Sequence, residues 1–70
     1  MIKNATFTSV WNGGYEVTTN CKVNMDTKEV FDIEKAGVDG LDVLDEEYIT
    51  IDGVNYPVSA DADETEYWYE

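Results

Sequence analysis

Apolar and polar side chains alternate at period two through the first half of the chain. Phe7, Ser9 and Trp11 are followed by Tyr15, Val17, Thr19, Cys21 and Val23, then by Phe31 and Ile33, all odd-numbered. β-branched and aromatic residues in that rhythm predict strands with one buried face. Opposed residues of an antiparallel hairpin share a face, so joining an odd face to an odd face requires an odd loop. Asn12-Gly13-Gly14 supplies a three-residue loop that sets Trp11 opposite Tyr15 and Ser9 opposite Val17. The same reasoning at Asp26-Thr27-Lys28 sets Val23 opposite Phe31 and Cys21 opposite Ile33.

The parity then changes, because Ile49 and Ile51 are odd while Val54, Tyr56 and Val58 are even. An even loop is required, and Asp52-Gly53 fits a two-residue type I′ turn with Ile51 opposite Val54 and Ile49 opposite Tyr56. Pro57 cannot donate a ladder hydrogen bond, so its strand is expected at a sheet edge or with the missing N–H turned outward. Between Lys35 and Glu47 two readings stand: an extended or irregular segment around Leu41-Asp42-Val43-Leu44, or a short helix capped by Asp39 with Val38, Leu41 and Leu44 on one face. Gly40 in the first turn and β-branched Val43 favour the extended reading.

The expected architecture is all-β, a small antiparallel sheet of about five strands forming an open barrel or meander with at most one short helical turn. Residues 1–59 read as a single small domain, and 60–70 as an acidic, aromatic tail that docks on it. Tyr67-Trp68-Tyr69 is costly if left exposed, so Trp68 is either a core residue of a terminal strand or an anchor for a partner.

Charge changes the picture more than size does. Sixteen Asp and Glu face four Lys with no Arg and no His, a formal charge of −12 on seventy residues. Residues 1–35 hold all four Lys and five acids, net −1, while residues 36–70 hold eleven acids and no base, net −11. Direct nucleic-acid binding is not expected, since four Lys cannot supply the phosphate neutralisation that drives it. No stretch approaches the roughly 20 apolar residues of a membrane-spanning helix, and Met1-Ile2-Lys3-Asn4 does not open an apolar leader. A cytoplasmic location without membrane contact is expected.

Two segments, Cys21 to Glu34 and Asp45 to Val58, resemble short acidic proteins of unassigned function from bacterial genomes, often on mobile elements. The resemblance implies a bacterial, cytosolic origin and an accessory role.

Catalytic groups are scarce. Without His, and with the one cysteine, Cys21, on the predicted inward face, acid–base or thiolate chemistry has no activated group, so no enzymatic activity is expected. A chain this short also leaves little room for a substrate cleft. Asp61-Ala62-Asp63-Glu64-Thr65-Glu66 alternates carboxylates as a calcium loop does, yet places Glu66 where such a loop requires Gly. No dedicated metal or cofactor is expected.

The acids themselves are then the candidate surface. Same-face carboxylates on an exposed strand lie about 6.6 Å apart, close to twice the roughly 3.4 Å rise per phosphate of a DNA strand. Rows of acids can imitate a phosphate track and compete for a basic cleft. Asp39, Asp42, Asp45, Glu46, Glu47, Asp61, Asp63, Glu64, Glu66 and Trp68 are the expected partner-binding residues. The partner is expected to be a basic, nucleic-acid-binding protein. The competing reading is a small β-structured protein- or peptide-binding module whose charge is incidental.

Overall fold

The computed structural model describes residues 1–34, 44–60 and 65–69. Six strands, β1 (Ile2–Trp11), β2 (Tyr15–Asn24), β3 (Glu29–Phe31), β4 (Leu44–Ile51), β5 (Val54–Ala60) and β6 (Glu66–Trp68), close into a barrel in the order β1-β2-β3-β6-β5-β4. Every neighbouring pair is antiparallel, including β4 with β1, which completes the ring. The fold is all-β as expected. The barrel is closed rather than open, because β6 from the C-terminal tail inserts between β3 and β5.

The first hairpin follows the predicted parity, with Trp11 opposite Tyr15 and Ser9 opposite Val17. Asn12-Gly13-Gly14 forms one 3-10 turn in which Gly13 and Gly14 both take φ +79°, a left-handed geometry that an L side chain resists. Asp52 at φ +51° and Gly53 at φ +83° make the expected two-residue turn, with Ile51 opposite Val54 and Ile49 opposite Tyr56.

The turn between β2 and β3 departs from expectation. Val23 opposes Val30, and Phe31 opposes Lys22, so the loop is Met25 to Lys28 rather than Asp26 to Lys28. Asn24 organises it: its Oδ1 accepts from the amides of Asp26 at 2.9 Å and Thr27 at 3.4 Å, and its carbonyl accepts from Lys28 N at 2.8 Å. Lys28 closes the loop in the left-handed region at φ +66°. Val30 therefore enters the core and Phe31 is left half-buried on the outer side. Asp32, at φ +53°, then absorbs one residue as a bulge, because Glu34 N donates to Asn20 O at 3.0 Å, one step out of register with the ladder before it. The two offsets cancel, and Ile33 packs against the core on the expected side.

The core is Ala5, Phe7, Cys21, Val23, Val30, Ile49, Ile51 and Trp68, with Met25, Ile33, Tyr56 and Val58 packed around it. Tyr15, expected inward, is 57% exposed, since it lies at the hairpin tip beyond the core. Trp68 is 3% exposed, its ring 4.8 Å from that of Tyr56 and capped by Lys28 Nζ at 5.0 Å from the ring centre. It is a core residue in this fold, with no exposed face for a partner, while Tyr69 remains on the surface. Pro57 lies in a strand flanked on both sides, so the edge expectation fails. Its carbonyl accepts from Tyr69 N at 3.1 Å, which directs its missing N–H to the place where β6 has already ended.

Candidate interaction surface

Strand direction divides the charges between the two ends of the barrel. β1 leaves from the end that also holds the β2–β3 and β4–β5 turns, and reaches the end that holds the β1–β2 turn and the start of β4. Met1 N, Lys3, Lys22 and Lys28 all belong to the first end, where Met1 N meets Asp26 at 2.6 Å, Lys3 meets Asp52 at 2.8 Å and Lys22 meets Asp32 at 3.3 Å. These pairs are mostly solvent-exposed and contribute little each, about 0–1 kcal/mol. Their consequence is distribution: among the described residues no lysine stands at the opposite end.

At that acidic end the register places Val10 between Glu16 on β2 and Glu46 on β4. Both glutamates are exposed and on the outer face, about 10 Å apart by two strand spacings. Asp45 is an extra residue: Val10 pairs with Glu46 but Trp11 with Leu44, so β4 bulges there and Asp45 is exposed. Glu47 opposes Ser9 on the same side as Ile49 and is half-buried. Glu66 shares the inward side with Trp68 and is likewise half-buried.

The next rows of the outer face carry no charge. Thr18, Thr8 and Tyr48 lie side by side, with the Thr8 and Thr18 hydroxyls 3.1 Å apart. Asn20, Thr6, Thr50 and Asn55 follow, with Thr50 Oγ1 donating to Asn55 Oδ1 at 2.7 Å. The expected row of acids along a single strand is therefore not found among the described residues. β4 is the described strand richest in acids, and only Glu46 of its three points outward, because alternation turns Glu47 inward and the bulge takes Asp45 out of step. Acids gather across strands instead of along one.

Of the expected partner-binding residues, Asp45, Glu46 and Glu47 come together at the start of β4, Glu66 lines the interior and Trp68 is core. Asp39, Asp42, Asp61, Asp63 and Glu64 lie outside the described residues, as does the choice between strand and helix for 35–43. Glu16 is the acid that sequence reasoning passed over. Its place opposite Val10 was implied by the hairpin parity, but its companionship with Glu46 depends on β4 joining the far side of β1.

A surface cleft of about 340 Å³, larger than expected of so short a chain, is lined by Asn4, Asn20, Cys21, Lys22, Asp32 and Glu34. Its thiol is inert near neutrality, since burial, and then the Glu66 carboxylate, push Cys21 up to about 11. Among the described residues no group of three or more Cys, Asp or Glu is arranged to hold a metal ion. No protein-family model, curated protein or solved structure matches the chain.

Proposed function

We propose that this is a non-enzymatic, acidic interaction protein that masks a basic surface of a nucleic-acid-binding protein. The observation that carries the reading is the segregation of charge among the described residues: Met1 N, Lys3 and Lys22 are held against carboxylates at one end, where Lys28 caps Trp68, and Glu16, Asp45 and Glu46 stand exposed at the other. A basic partner approaching a field of −12 is steered towards the end where no described residue is cationic. Competition for the partner's nucleic-acid site then follows from occupancy of the same basic patch.

The test uses the heparin-retained fraction of a bacterial lysate passed over the immobilised protein at low and at moderate salt. A basic protein held at low salt, released at moderate salt and displaced from DNA by the free chain supports the reading. Retention indifferent to salt, or to the combined variant Glu16→Gln, Asp45→Asn, Glu46→Gln, contradicts it.

A further inference from the structure

Exposed apolar side chains gather at the lysine end of the barrel. Ile2 on β1 is 52% exposed and Val54 on β5 is 51% exposed, with Met1 beside Ile2, whereas Tyr15 stands at the opposite tip. Ile2 precedes Lys3 and Val54 follows the Asp52-Gly53 turn, so the two flank the 2.8 Å pair of Lys3 with Asp52. Residues 1–3 and 52–54 are described throughout. Glu34, Leu44, Ala60 and Glu66, next to the segments outside the described residues, lie from the middle of the barrel to its other end. A single exposed apolar residue is ordinary, but three around one ion pair on so small a domain make a patch.

Charge decides what covers it. Two chains of −12 repel wherever their acidic surfaces meet. The lysine end is where that repulsion is least, because Met1 N, Lys3 and Lys22 are each matched by a carboxylate and Lys28 adds a further cation. A basic protein is drawn more strongly to the other end, so the occupant that fits a neutral, apolar patch on this chain is another copy of it. We infer that the lysine ends of two copies meet about a two-fold axis, with Ile2 and Val54 of each packed across the other's Lys3–Asp52 pair. A two-fold sets the same patch on both sides, so the ammonium of each Lys3 can share the carboxylate of either Asp52. Their acidic ends then point away from each other. An end-on contact covers a small part of a 4626 Å² surface, so the dimer belongs with the weaker specific interfaces, at micromolar rather than nanomolar dissociation constants. This inference goes beyond the proposed function and does not rest on it.

The experiment is sedimentation equilibrium of the full chain alone, from about 10 μM to about 1 mM, at low and at physiological sodium chloride. The mass should rise with concentration from 7.9 kDa towards twice that value. Association should strengthen as salt is added, because screening relieves the repulsion of the two net charges. That sign is opposite to the one expected for capture of a basic partner, which is absent from the experiment, so the two readings fail separately. Ile2→Glu and Val54→Glu each set an unmatched carboxylate in the patch and should weaken association at least about tenfold, while Glu46→Gln, at the far end, should not weaken it. Amide shifts followed by NMR should move with concentration at Ile2, Lys3, Asp52 and Val54. If Val54→Glu does not fold, Ile2→Glu, at the exposed first residue of β1, decides together with the shift map. A monomer mass at every concentration and salt leaves the patch to a different occupant and overturns the inference. Association that Ile2→Glu leaves unchanged, or concentration-dependent shifts confined to the β1–β2 tip, overturns it as well.

Discussion

β1 and β2 are ten residues each and β4 eight, paired side by side into a wall, whereas β3 and β6 are three residues each and meet over two register pairs. The wall is held by long ladders, β1–β2 built around a local hairpin turn and β1–β4 joining residues as distant in the chain as Thr6 and Thr50. The seam joins residues far apart in the chain, and its short ladder is supplemented by one large side chain: Trp68 is buried, donates its amide to Lys28 O at 3.0 Å and lies beneath Lys28 Nζ. Closing a ring over that separation has an entropic cost before any contact forms. A barrel can thus be locally robust on one side and depend on a single indole on the other.

Trp68→Ala tests this most severely. Truncating a buried aromatic costs about 3–5 kcal/mol, against a total of roughly 4–10 kcal/mol for a domain of this size. The expected outcome is a large fall in melting temperature, with amide protection lost first in β3 and β6 and last in the β1–β2 ladder. A wild-type melt, or simultaneous loss everywhere at low denaturant, would break the distinction between wall and seam.

Cys21 reports on closure through its alkaline titration, because it lies in β2 but senses Glu66 of β6. Its thiol is raised from 9.0 to about 11 in the folded chain. The unfolded chain therefore loses its proton first, so stability is fully present below pH 9 and falls as pH rises between the two values. The loss should be of the order of 2 kcal/mol. Denaturant melts of wild type and Cys21→Ala between pH 8 and 11 separate this from tyrosine ionisation, and parallel curves would mean that the thiol titrates normally.

The turn joining β4 to β5 offers a smaller effect on ground common to both regions. A Cβ at Gly53 would meet no atom within 4 Å, so a substitution there costs backbone strain alone, at φ +83°. Gly53→Val should destabilise by about 1–2 kcal/mol, seen in thermal melts. A change within about half a kcal/mol, the range of ordinary surface substitutions, would contradict the type I′ turn.

These regions also differ in how far they can be read from residues alone. In the wall, parity decides the register: odd Trp11 and odd Tyr15 demand an odd loop, Gly13 and Gly14 tolerate its positive φ, and the observed pairing follows. The Asp52-Gly53 turn is legible for the same local reason. Around the seam parity misleads, because Asn24 accepts two loop amides with its side chain, Lys28 adopts a left-handed conformation, and Asp32 absorbs the extra residue. Each is a choice between near-equal backbone states that composition does not decide. The candidate surface divides similarly. The run Asp45-Glu46-Glu47 is plain in the sequence, while the bulge that leaves Glu46 alone facing outward, and the strand order that brings Glu16 beside it, are tertiary facts. Besides the asymmetry between sequence halves, the described lysines Lys3, Lys22 and Lys28 share one barrel end, which only the assembled strands reveal.

Lys28 sharpens the seam without dismantling it. Its ammonium over the Trp68 ring, at 5.0 Å, is worth about 0.5–1 kcal/mol. Lys28→Gln should lower the melting temperature by roughly 2–8 °C, and Lys28→Arg should recover most of it, because the guanidinium also stacks on indole. Equal losses in both variants would place the effect in the left-handed backbone rather than in the cation.

The smallest effect belongs to the wall's acidic end. Glu16 and Glu46 flank Val10 at about 10 Å, where two unit charges in water repel by about 0.4 kcal/mol. That distance is near the Debye length at physiological ionic strength, roughly 8 Å, so salt should cut the repulsion to about a third. Glu46→Gln should therefore raise the melting temperature slightly in low salt, and the gain should fade as sodium chloride approaches physiological levels. At the lysine end the sign reverses: Lys3→Gln removes the 2.8 Å pair with Asp52, so it should lower the melting temperature in low salt, and by less when salt screens the pair. Melts of both variants across a salt series test the segregation directly. If the two respond to salt with the same sign, the field is uniform over the barrel and its ends are not electrostatically distinct.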